Sequence, residues 1–71
     1  MTNKVYSVTE IVGSSDKSLE DAIENAVNTA NATLRHLDWF EVTEIRGHIE
    51  GGKVSHYQVA MKIGLQYERK S

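Results

Sequence analysis

The sequence predicts an α+β fold in the order β-α-β-β, with one helix packed on a three-stranded sheet. Three observations carry this. A β-branched and aromatic run opens the chain, apolar residues then recur at helical spacing, and two long strand-like segments come last, joined by Gly51-Gly52.

The first strand is read from Lys4 to Val12, with Val5, Tyr6, Val8, Thr9, Ile11 and Val12 as its β-formers. Gly13-Ser14-Ser15 ends it as a loop. Ser18 is the helix N-cap, with Asp21 three residues on in a weak capping box. Leu19, Ala22, Ile23, Ala26, Val27, Ala30, Leu34 and Leu37 then keep helical spacing, a run of about nineteen residues and roughly 28 Å. Glu20, Asp21 and Glu24 fall in the early turns and Arg35 and His36 in the last, as the helix dipole favours. The stripe is narrow and Ala-rich, which lets the helix approach a sheet closely. Glu24, Asn25, Asn28, Asn31 and Arg35 form its polar side.

The remaining strands are read as Trp39 to Glu50 and Lys53 to Tyr67. Gly-Gly suits a two-residue hairpin because both central positions can take positive φ. Counting from that turn sets Glu50 opposite Lys53, Val42 opposite Met61, Phe40 opposite Ile63 and Trp39 opposite Gly64. Tyr57, Val59, Met61, Ile63, Leu65 and Tyr67 share one face, which the helix is expected to cover together with Phe40 and Val42. Trp39 falls on the other face, among Thr43, Ile45, Gly47, Ala60 and Gln58. A lone sheet with one helix leaves that face bare, so a second subunit, a ligand or both must cover it.

Composition narrows the function. The 71 residues make one domain, 1–71, near the size at which a single core supplies only roughly 3–5 kcal/mol. Without Cys there is no disulfide or thiolate metal site, which leaves oligomerisation as the staple. Eight Lys+Arg against 10 Asp+Glu give no basic field for nucleic acid or anionic membrane. No apolar run approaches spanning length and no signal core is visible, so a cytoplasmic protein is expected. No nucleophile and base stand at a telling spacing, which argues against an enzyme.

The only Trp is the strongest candidate for chemistry. Trp39 can serve as an anchor between subunits or as a stacking platform for a planar ligand. Gln58 on the same face can donate to and accept from a heterocycle edge. Arg46 suits a phosphate, or a surface ion pair with Glu44 or Glu50. Plain alternation sets it on the face opposite Trp39, so sharing a ligand requires a bulge in the strand or a neighbouring subunit. His48 and His56 meet across the hairpin without further ligands converging for a metal.

Leu-Asp-Trp-Phe-Glu-Val (37–42), Ile-Arg-Gly-His (45–48), Tyr-Gln-Val (57–59) and Glu-Ile-Val-Gly (10–13) resemble the dodecins, small bacterial and archaeal flavoproteins, along nearly the whole chain. The resemblance implies a three-stranded antiparallel sheet wrapped partly around the helix, assembling as a hollow dodecamer. It implies flavins held in pairs between Trp rings of neighbouring subunits, with FMN the usual ligand and riboflavin or a related flavin the alternative. By position, Trp39 would stack on the flavin and Gln58 would bond its edge. Arg46 would approach its phosphate end, with His48 nearby. Flavin storage and protection from photochemistry are the implied roles, with no enzymatic turnover. Some bacterial members also bind coenzyme A on the outer surface. Lys4 and Arg35 would supply charge for that here, whereas Thr29 and Gln66 would not. An oligomeric module without cofactor and a flavin-dependent reductase are the rival readings.

Overall fold

The computed structural model describes residues 3–67. The order is β1 (Tyr6–Ser15), α1 (Leu19–Thr33), β2 (Leu37–Glu50) and β3 (Lys53–Gln66). All three strands form one antiparallel sheet in the order β1-β3-β2. The predicted fold class and element order are therefore those of the structure.

Five boundaries differ from the sequence reading, among them the start of β2 at Leu37 in place of Trp39 and the end of β3 at Gln66 in place of Tyr67. β1 begins at Tyr6 and continues through the expected loop, with Gly13, Ser14 and Ser15 pairing with Val59, Gln58 and Tyr57. Helix α1 stops at Thr33, four residues short of Leu37, where Leu34 turns extended and its N–H closes the last helical bond to Ala30 O at 2.8 Å. Arg35 and His36 lie in the connection, so they form no cationic last turn. His36 takes φ 63°, a left-handed conformation that reverses the chain into β2. The hairpin turn is as expected, with Gly51 at φ 59° and Gly52 at φ 76°.

The N-terminus of α1 is capped as read, Ser18 Oγ accepting from Asp21 N–H at 3.0 Å. Asp21 does not complete the box; its carboxylate takes the Ser15 hydroxyl at 2.6 Å. Ser15 Oγ in turn accepts from Lys17 N–H at 2.9 Å and Ser18 N–H at 3.4 Å. The end of β1 thus satisfies donors ahead of the helix that would otherwise lack partners.

Gly13 reads as a chain breaker but acts as a point of contact. A Cβ at this position would lie 2.2 Å from Ala22 O and 2.7 Å from Ala26 Cβ. Only a bare Cα lets the alanine stripe settle this close, and Ala22, Ala26 and Ala30 are buried there. Val59, Met61 and Ile63 of the central strand complete the core, with Ile11, Leu19, Ile23, Val27, Leu37 and Leu65 packed around them. Each large buried side chain contributes about 1.5–3 kcal/mol, so the core is small.

Because α1 sits over β1 and β3, it leaves β2 largely uncovered beyond Leu37. Phe40 and Val42, expected beneath the helix, are 48% and 37% exposed. They share the helix-side face with Ile63 and Met61, but on an edge strand beyond the helix's reach. The hairpin extends the molecule to 57 × 21 × 16 Å.

Gly13→Ala is expected to force α1 off the sheet and to lower stability by about 1–3 kcal/mol, the range for overpacking. Urea unfolding at fixed protein concentration measures this, and an unchanged midpoint would remove Gly13 from the role assigned here.

Candidate functional site

The face of the sheet away from α1 is built by irregularities in the ladder. Shifts in the β2–β3 register fall between Leu37 and Trp39, between Val42 and Glu44, and between His48 and Ile49. The first two leave Asp38 and Thr43 as extra residues on β2, and the third leaves Ser55 as an extra residue on β3. Each extra residue reverses the facing of the residues beyond it.

The bulge at Asp38 aims the indole. Leu37 pairs with Leu65 on the core side, and Trp39 then pairs with Gly64 on the far side. The ring lies across Gly64 so closely that a Cβ there would sit 2.1 Å from Trp39 Cε2. Tyr6, from β1, meets the indole edge-on with ring centroids 5.9 Å apart and planes at 61°. The Tyr6 hydroxyl donates to Asp38 Oδ2 at 2.9 Å. The residue that turns Trp39 outward therefore also fixes the ring beside it. Trp39 remains 39% exposed, and its one supported face leaves the other for a partner.

The bulge at Thr43 aims the arginine. Its hydroxyl donates to Ala60 O at 3.2 Å, and beyond it Glu44, Arg46 and His48 pair with Ala60, Gln58 and His56. Arg46 and Gln58 thus stand side by side on the same face as Trp39. This is the bulge that a shared ligand required of the sequence. The same shift moves Ile45 and Gly47 off the face on which plain alternation had set them. The extra residue at Ser55 offsets the one at Thr43, which is why counting from the turn gave the right partners for Trp39, Phe40 and Val42. Ser55 Oγ donates to His48 O at 3.2 Å, tying down its own bulge.

Arg46 forms an ion pair with Glu44, the surface pairing that its neighbours suggested. His48 and His56 stack at 5.3 Å between centroids and 20° between planes, with His48 Nε2 3.5 Å from Glu50 Oε2. Among the described residues no group of three or more His, Cys, Asp or Glu is placed to hold a metal ion.

Trp39 and Gln58 share a face but not a site within one protomer. Gln58 stands six positions from Gly64 along β3, roughly 20 Å at strand spacing. The hollow beside Trp39, lined by Val27, Leu37, Asp38, Phe40 and Ile63, holds about 110 Å³, against roughly 300 Å³ or more for a small-ligand pocket. A planar ligand on Trp39 can be enclosed, and can reach a Gln58, only across two copies of the chain.

Sequence reasoning missed Tyr6 and Asp38. It also missed a signal for the bulges. Apolar residues of β2 change phase from Phe40 and Val42 to Ile45 and Ile49, and those of β3 change from Val54 to Val59.

The profile of the dodecin family matches residues 5–68. The chain belongs to the dodecin family. It is 52% identical to a Thermus thermophilus dodecin over 65 residues, 92% of this chain and 94% of that one. The structure of dodecin from Streptomyces coelicolor superposes with a TM-score of 0.90 at 51% identity, covering 99% of this chain and all of that one. Dodecin from Streptomyces davaonensis gives 0.89 at 46% identity, over 96% of this chain and 100% of its own. The dodecins are a family of non-enzymatic binding proteins, and the chain is a dodecin-type, oligomeric small-ligand-binding protein. No helix among the described residues is long and apolar enough to cross a membrane.

The Tyr6 phenol is held above its ordinary pKa of 10.0, first because its hydrogen bond to Asp38 favours the protonated form, then through burial and the Asp38 charge. With the folded pKa raised, the contribution of this clamp is complete below the unfolded value of about 10 and is lost as pH rises through the folded one. An alkaline absorbance titration of wild type minus Tyr6→Phe is expected to show a tyrosinate midpoint above 10.0. A midpoint at or below that value would show that Asp38 does not hold the phenol.

Proposed function

We propose that this dodecin stores FMN in a cytoplasmic homododecamer, with paired flavins stacked on Trp39 across subunit contacts and shielded there from photochemistry. One observation carries the reading: the indole is fixed on one side by Gly64 and Tyr6 and open on the other. A preorganised ring loses little freedom when a second ring stacks on it. Riboflavin shares the same ring system and is the closest alternative ligand.

The residues divide the work. Trp39 supplies stacking area and excludes water from one flavin face. Gln58 of a neighbouring subunit presents an amide that both donates and accepts, as a heterocycle edge requires. Arg46, beside Gln58 on the same face, offers a guanidinium that can leave Glu44 for a phosphate. A bound flavin would supply a light-absorbing, redox-active ring, and Trp39 would set an electron-rich indole against it.

Titration of the oligomer with FMN is expected to quench flavin fluorescence to saturation. Trp39→Ala should weaken binding by about 1–3 kcal/mol, the worth of one aromatic stacking contact in the nucleobase case. Equal affinity in the variant would end the platform role. A dodecamer-sized particle that binds no flavin would leave Trp39 as an anchor between subunits.

A further inference from the structure

The Tyr6–Asp38 pair has a geometry that stacking alone does not call for. The phenol makes a T-shaped contact with the Trp39 indole, with ring centroids 5.9 Å apart, and its hydroxyl donates to a carboxylate. The 2.9 Å separation lies within the roughly 2.6–3.2 Å reach of a general base. Asp38 sits at the bulge and lies on the surface, so the bond fills no buried vacancy. Edge packing by itself would be served by Phe.

We propose that Tyr6 and Asp38 form a proton-coupled electron relay that restores Trp39 after it has lost an electron. One electron passes from the Tyr6 phenol to the indole radical cation, and the phenolic proton passes along the existing hydrogen bond to Asp38. The indole is regenerated, Tyr6 becomes a neutral phenoxyl radical, and Asp38 becomes a carboxylic acid. Charge is conserved within the three groups: a cation and a carboxylate become neutral. Losing the proton in the same event spares Tyr6 the charged intermediate that a phenol without a base would have to form. The oxidant of Trp39 is a photoexcited flavin under the function proposed above, and the relay rests on that reading only for the oxidant's identity. The flavin reduced by Trp39 is the donor that closes the cycle: its electron returns to the Tyr6 phenoxyl as the proton returns from Asp38 to the phenolic oxygen. The consequence is that an oxidised indole is repaired before it reacts with oxygen or water.

The test uses the full-length chain without added flavin, with azidyl radical from pulse radiolysis as the one-electron oxidant. In the wild type the indole radical absorption is expected to decay as the phenoxyl absorption rises, at a rate independent of protein concentration. Tyr6→Phe keeps the edge contact and is expected to abolish that rise, whereas Tyr57→Phe and Tyr67→Phe leave it intact. Asp38→Asn keeps a hydrogen-bond acceptor but removes the base, and is expected to slow the transfer by about 100-fold, the lower range for a positioned base. A phenoxyl signal that persists in Tyr6→Phe, or an unchanged rate in Asp38→Asn, overturns the relay. Because no flavin takes part, a wild type that shows the transfer yet fails to bind FMN refutes the storage reading alone.

Discussion

The approach of α1 to β1 at Gly13 decides what the rest of the molecule can do. With no side chain between Gly13 and the Ala22 carbonyl, the helix settles over the first and central strands. A helix about 10–12 Å wide covers two strands spaced roughly 4.7–4.9 Å apart and not a third. The uncovered strand is β2, which carries both Trp39 and Arg46. Tight packing on one side of the sheet thus creates the bare strand, and the far face has no layer of its own at all.

Insertions in the ladder then direct individual side chains. Asp38, Thr43 and Ser55 are all short polar residues, and the side chain of each takes part in a hydrogen bond beside its insertion. A bulge leaves backbone groups without ladder partners, and a nearby hydroxyl or carboxylate limits that loss. The result is a strand on which Leu37 faces the core while Trp39 faces away, and on which Arg46 joins Trp39 across an odd sequence separation. Regular pleating permits neither arrangement.

The fold was legible in the sequence because each element carried its own period. The alanine stripe, the Gly-Gly turn and the Tyr57–Leu65 alternation each name one element and one face. The residues paired with Trp39, Phe40 and Val42 were also legible, although only because two insertions of opposite sense cancel between the turn and Val42. What escaped was pairwise and non-local. Nothing in the stretch Val5–Val12 shows that Tyr6 lies against an indole more than thirty residues away. Helical spacing alone cannot distinguish Leu34 and Leu37 as further turns from their actual places in a cap and a strand. Gly13 was misread because a glycine that breaks a chain and one that admits a helix look the same in sequence. The family resemblance named Trp39, Gln58 and Arg46, but it did not show that the first of these lies far from the other two within a protomer.

The hairpin has a consequence for how the protein persists in solution. Ile45, Ile49 and Val54 are more than half exposed, and their pairing places them on the helix-side face of the sheet, Ile45 beside Val59 at the edge of the core and the other two beyond it. In an oligomeric family such exposed apolar residues are surface that association can bury. Where the same surfaces serve folding and association, dilution acts as a denaturant does. For a chain whose fold is completed by association, the melting temperature rises with concentration.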